Sequence, residues 1–190
     1  MSGDCIDLMI KEHENVMRLV EIFRVACCGI LEGRDVDQED FATMIFLART
    51  YADSYHHGKE EKILFHAMEQ QLGTAAQKLI RNGMLVEHDM GRFHMGALEE
   101  ALKRYEDSGA TIDKLAVVTN ASAWADLLQR HIEKEDTVVY LFARNHLPND
   151  IMMDVEKEME AYDRLQTAAG IQQQSLQLLA KIEQKYGLER

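Results

Sequence analysis

A single proline, Pro148, interrupts the chain. Proline removes a backbone donor and clashes with the preceding turn, so its scarcity lifts the commonest obstacle to long helices. Cysteine is sparse as well: Cys5, Cys27 and Cys28 are odd in number, fall in one expected helix and form no C-x-x-C pair. That argues against a disulfide framework and suits a reducing, cytoplasmic setting. No stretch approaches the ~20 apolar residues of a membrane span. The opening segment, MSGDCIDLMIKEHE, is acidic early and lacks the apolar run of a secretory leader. Positive charge is in deficit, with 21 Lys and Arg against 33 Asp and Glu and a formal net charge of -12. Such a field repels nucleic acid and anionic membrane surfaces, so neither is expected as a partner.

What the 190 residues do hold is 46% hydrophobic and 28% charged side chains, enough for one domain with a sizeable core and room for one appended element. Glycines cluster between long periodic segments, which favours helices over strands. A first helix is expected from Asp4 to Glu32, ending at Gly33. A second follows the cap-like Asp37 and runs to about Gln71. Thr74-Ala75-Ala76-Gln77 matches a capping box and opens a third, which runs to about Asp107. The fourth runs from Thr111 to about Asn145. Four helices of similar length on short connections predict an all-α, antiparallel up-down-up-down four-helix bundle over residues 1–146. Residues 149–190, amphipathic through Val155, Met159, Tyr162 and Leu165 and again through Leu176, Leu179 and Ile182, form an additional C-terminal helix that bends or breaks at Gly170. It is expected to pack on the bundle or to mediate self-association into a homo-oligomer.

Each bundle helix sets a histidine on its own apolar stripe at 3-4 spacing. The first places His13 with Met9, Val16, Val20 and Phe23, and the second His57 and Glu61 with Leu47, Ser54, Leu64 and Met68. The third places His88 with Met84, Met95, Leu98 and Leu102. The fourth places His131 and Glu135 with Val117, Ala121, Leu128 and Val138. Both His57/Glu61 and His131/Glu135 are His-x-x-x-Glu pairs, about one turn apart and close enough to bind one metal or bridge two. A buried carboxylate without a partner is costly. Two carboxylates among four imidazoles are poor apolar packing and good metal ligands. The expected metal ligands are therefore His13, His57, Glu61, His88, His131 and Glu135. Mixed imidazole and carboxylate donors suit iron, manganese or zinc and disfavour calcium and magnesium. Six ligands exceed one tetrahedral zinc and suit two ions. Two six-coordinate irons offer about twelve positions, of which these residues and a bridging oxygen fill about ten, leaving open positions for a small ligand.

Neighbouring candidates read differently. His56 and Glu60 repeat the spacing one residue away, about 100° off the stripe, which predicts a surface or supporting role. His94 is off the stripe of His88. Glu12, Glu14 and Glu87 flank ligand histidines and could hold an imidazole by its other nitrogen, although solvent exposure is the simpler expectation. Tyr51, Tyr55 and Tyr140 are expected to pack in the core, with reach to the centre as the alternative. Trp124 and the methionines at 17, 44, 68, 84, 90 and 95 form a sheath, and Cys27 and Cys28 are small packing residues.

With those residues in view, His56-His57-Gly-Lys-Glu-Glu-Lys-Ile-Leu-Phe, Glu87-His88-Asp-Met-Gly-Arg92 and His131-Ile-Glu-Lys-Glu-Asp, preceded by Glu12-His13-Glu14, resemble the hemerythrin-like (HHE cation-binding) domain family. The resemblance spans about residues 9 to 145. It implies a four-helix bundle around two irons with an oxo or hydroxo bridge, the histidines terminal and the glutamates bridging. The family's oxygen carriers have a further histidine where this chain has Arg92, and an aspartate five residues after the last histidine, for which Glu135 is taken as the counterpart. The chain thus resembles a His, His-x-x-x-Glu, His, His-x-x-x-Glu subset with fewer nitrogen ligands. The implied function is binding of a small diatomic ligand, dioxygen or nitric oxide, for sensing, delivery or scavenging. The alternatives are a redox enzyme acting on peroxide or nitric oxide, an iron store or donor, and a helical interaction module with vestigial ligands. No general base stands free of the ligand set, and no flavin, haem or nucleotide motif is visible.

Overall fold

Residues 5–188 are described in a computed structural model, and every regular element among them is a helix. Helix α1 is Cys5–Leu31; the expected start at Asp4 lies outside the described residues. Helix α2 covers 38–71, α3 covers 73–108 and α4 covers 111–146. The C-terminal segment is two helices, α5 (Asn149–Ala168) and α6 (Ile171–Lys185). They part at Gly170, whose φ of 72° is open to glycine and strained for other residues.

Local chemistry explains the helix ends, with one correction. Asp37 caps α2 by accepting from the Asp40 amide. Gly109, at φ 59°, closes α3 in the left-handed conformation. The capping box expected at Thr74 does not form. The helix already starts at Gly73, and the Gln77 amide turns back to the Glu69 carbonyl at 3.4 Å.

Ion pairs record the antiparallel order of the bundle. Helix α1 meets α4 through Asp7–Arg144 at one end and Arg24–Asp126 at the other. Helix α3 meets α4 through Glu87–Lys134 and Arg104–Asp113. Helix α2 meets α3 through Arg49–Glu99 and Glu61–Arg92. In each pair numbers rise on one helix as they fall on the other, which is the up-down-up-down arrangement.

The core divides into two apolar blocks. One is built on Val20, Phe23, Phe41, Leu98, Trp124 and Leu128, the other on Met9, Leu64, Met68, Ile80, Met84 and Val139. The buried histidines and acids lie on the helices that run through both. Helices α5 and α6 pack against the bundle, burying Val155, Met159, Leu179 and Ile182.

Four stretches depart from α-helical pitch. Ala48–His57, Glu60–Leu64, Ile80–Met84 and Glu135–Val139 are π-helical, with i→i+5 bonds. Each wide turn shifts the side chains that follow it relative to α-helical phase. Val138, expected inward, is 49% exposed, whereas Val139 and Tyr140 are buried. Ser54, also placed on the inward stripe, is exposed.

One tight contact on α2 carries a test. A Cβ at Gly58 would lie 2.6 Å from the Tyr162 hydroxyl, which donates to the Ser54 carbonyl at 2.7 Å. Gly58→Ala must displace that ring, at about 1–2 kcal/mol. Denaturant melts of Gly58→Ala, Tyr162→Phe and the double variant should show a double cost well below the sum of the singles.

Candidate metal centre

Wide turns in α2 bring consecutive histidines to the same interior. His56 and His57 are 1% and 5% exposed, and Glu60 is fully buried. From α1 comes His13, from α3 His88, and from α4 His131 and Glu135, all buried. Their donor atoms form two groups, His57, Glu60, His88 and His131, and His13, His56, Glu60 and Glu135, each lying within 4.8 Å of one another. Glu60 belongs to both.

Distances show how Glu135 also faces both groups. Its Oε1 is 3.2 Å from His131 Nε2 and 3.8 Å from His88 Nε2, while Oε2 is 3.3 Å from His13 Nε2. Glu60 Oε2 lies 3.5 Å from His88 Nε2 and 4.0 Å from His56 Nε2. The Tyr140 hydroxyl donates to Glu60 Oε1 at 2.7 Å and lies 3.4 Å from His13 Nε2.

Every one of these five histidines is held from behind at Nδ1 by a carboxylate: His13 by Asp136 (2.7 Å), His56 by Glu12 (2.8 Å), His57 by Asp53 (3.3 Å), His88 by Glu61 (2.7 Å) and His131 by Glu87 (2.9 Å). An Nδ1–H bond fixes the tautomer that leaves the Nε2 lone pair free for a metal. Cations then hold the carboxylates: Lys59 on Glu12, Lys134 on Glu87, and Arg92 on both Asp53 and Glu61.

The residues fit a pair of cations on an internal criterion. His56 Nε2, Glu60 Oε2 and both Glu135 oxygens are buried without a hydrogen-bond partner, a costly arrangement unless something positive shares them. Protonation states point the same way. Burial pushes Glu60 up, and neighbouring Glu135 adds to it, to about 8. Burial would raise Glu135 too, but His131, His13 and His88 hold it well below the carboxylate range. Burial opposes charge on the histidines. For His13 and His88, at about 9, hydrogen bonds to acids outweigh it, and for His131, at about 10, the charge of Glu135 does so. His57, against His88, falls to about 3. Protons thus occupy places that two divalent ions would take.

Five of the six expected ligands (His13, His57, His88, His131 and Glu135) converge. Glu61 does not: half-exposed, it supports His88 from outside and pairs with Arg92. Glu60 and His56 take the interior places instead, because the 100°-per-residue rule that set them off the stripe fails across π-helical turns. The readable signal was the doubled pattern His56-His57 … Glu60-Glu61, which satisfies either register. The imidazoles in the two groups number five rather than the four expected. Glu12 and Glu87 do orient imidazoles, each on a neighbouring helix rather than the histidine beside it in sequence. Of the tyrosines weighed, Tyr51 bonds Asn15 and Tyr55 bonds Glu12, while Tyr140 reaches the centre. His94 faces Asn120, outside both groups. Asp53, Lys59 and Asp136 were not foreseen.

A cavity of ≈ 320 Å³ touches His57 and His88 and is lined further by Ala52, Gly91, Met95 and Trp124. No helix among the described residues is long and apolar enough to cross a membrane. The sequence model of the family described as Hemerythrin HHE cation binding domain matches residues 4–143. Comparison with curated proteins and with solved structures returned no match.

Proposed function

We propose, from the premise that the chain belongs to the hemerythrin HHE cation-binding family, that it is a di-iron protein binding a small diatomic ligand, dioxygen or nitric oxide. The observation that carries this reading is the sharing of Glu60 between two groups of histidines. One shared buried acid, with a second whose two oxygens face opposite ways, suits a pair of ions better than two separate ones. His57, His88 and His131 would hold one iron, His13 and His56 the other, with Glu60 and Glu135 between them. Such a pair supplies reversible electron exchange and a coordination position for a small molecule.

Donor counting favours one side for that position. Were both acids shared, the three-histidine side would have five protein donors and the two-histidine side four. An oxo or hydroxo bridge would then complete about six on the first and leave the second one short. Beside that side stands the Tyr140 hydroxyl, buried and stacked parallel on His13 at 5.4 Å between ring centroids. Its proton is held on Glu60 Oε1, and turning it toward a bound molecule would supply a hydrogen bond there.

Tyr140 also favours a second reading, turnover of peroxide or nitric oxide. Burial, with the nearby Glu60 charge, raises its hydroxyl well above the usual tyrosine range, so it keeps its proton beside the centre. One experiment separates the two. Load the full chain anaerobically with ferrous iron, confirm two ions per chain, then admit air or nitric oxide. A new absorption band reversed by degassing is the result expected. Irreversible oxidation with consumption of added peroxide supports the enzyme, and fewer than two ions per chain defeats both.

A further inference from the structure

Residues beyond the family match reach the centre's framework. Lys59, one residue before Glu60, is 1% exposed. A lysine this deep needs compensation, and its ammonium is shared between Glu12 and Asp163 of α5, the latter at 3.1 Å. Glu12 is the carboxylate that holds His56 Nδ1. The Tyr55 hydroxyl spans the same two acids, at 3.0 Å from Glu12 and 2.9 Å from Asp163, and accepts from the Gln172 amide of α6 at 3.2 Å. The neighbouring residue on α5, Tyr162, bonds the Ser54 carbonyl and closes over Gly58. Thus α5 grips the part of α2 that carries His56, His57 and Glu60.

Among the described residues, the carboxylates behind the other four histidines pair with no residue of α5 or α6. His13, His57, His88 and His131 are supported by Asp136, Asp53, Glu61 and Glu87, all within residues 4–143. We propose that Asp163 is a positioning residue for His56, acting through Lys59 and Glu12, so that the C-terminal extension sets metal affinity at the His13/His56 half of the centre. The physical reason is charge sharing. With Asp163 present, Lys59 divides its charge between two acids and leaves Glu12 Oε2 free to hold the His56 ring. Without it, Lys59 bears on Glu12 alone, and the acceptor that fixes the His56 tautomer weakens.

This inference rests on the two-metal reading, and the test keeps the two apart. The full-length wild type, Asp163→Ala, Asp163→Asn and His13→Ala are titrated with cobalt(II) alone, following its visible spectrum, with metal-free thermal melts alongside. The wild type is expected to take two ions. Asp163→Ala should weaken one of them by roughly 10–100-fold, that ion being the one whose band His13→Ala removes, and leave the other within about twofold. Asp163→Asn, which keeps an oxygen acceptor without the charge, should lose roughly 3–10-fold at the same ion. Should Asp163→Ala not fold, Asp163→Asn decides alone by the same criterion. A loss spread equally over both ions, or two ions bound with wild-type affinity and spectrum, overturns the positioning role. A wild type that takes one ion overturns the two-metal reading and the inference with it.

Discussion

Glu60→Gln is expected to leave the chain without tightly bound metal, whereas Glu61→Ala should still carry two ions. The two acids are adjacent, so the contrast isolates orientation from composition. Glu60 is fully buried, lies in both donor groups and has one oxygen with no hydrogen-bond partner. Replacing it with the isosteric amide removes charge and the bridging donor from both halves at once. Glu61 touches the centre only through His88 Nδ1 and is held by Arg92, so losing it should weaken the three-histidine half by roughly 10–100-fold without emptying it. Stability separates binding from folding here. Without metal, Glu60 is a buried acid resisting ionisation, and the amide relieves that burden; the metal-free Glu60→Gln protein should melt no lower than metal-free wild type. Metal content after gel filtration, together with both melts, checks the claim. Two ions retained by Glu60→Gln, or none by Glu61→Ala, would return the assignment to the α-helical register.

That register question also measures how much could be read from the residues. The bundle was legible because its signals are local and redundant: one proline at position 148, apolar stripes at 3-4 spacing and short links at Gly33, Gly73 and Gly109. Histidines 13, 88 and 131 were legible for the same reason, since each lies where ordinary α-helical phase puts the interior. Glu60 and His56 were not, because their placement depends on i→i+5 turns at Ala48–His57 and Glu60–Leu64, and periodicity assumes one pitch throughout. Val138 was misplaced by the same effect at Glu135–Val139. Glu12 and Glu87 could be read as supports for an imidazole, but which imidazole each holds could not. Glu12 holds His56 and Glu87 holds His131, partners that only the packing of helices against one another defines. Lys59 escaped notice because burying it requires Asp163, more than a hundred residues away in sequence.

Loading two divalent ions at pH 7 is expected to release about four protons per chain from its own side chains, because metal ligands must be deprotonated. Four groups hold them: His13 and His88 at about 9, His131 at about 10 and Glu60 at about 8. His57, pushed down to about 3, and His56, also pushed down, have none to give. The sign for stability follows from linkage. A histidine whose folded pKa is raised stabilises the metal-free fold fully below its unfolded value near 6.5, and loses that contribution as pH rises through the folded value. Glu60, raised likewise, makes the folded chain hold a proton the unfolded chain has shed, so stability falls with pH up to about 8. The histidines with lowered values act only below about 6.5 and cancel nothing above it. Metal-free protein should therefore lose stability from pH 6.5 to 10, while metal affinity grows as its competing protons leave. With free metal near a thousand times Kd, each ion stabilises by about 4 kcal/mol, and two raise the melting temperature by on the order of 20 °C. That gap should widen between pH 6.5 and 9. Calorimetric titration in two buffers of different ionisation heat counts the protons, and release of one or none would mean that the four groups do not face the ions.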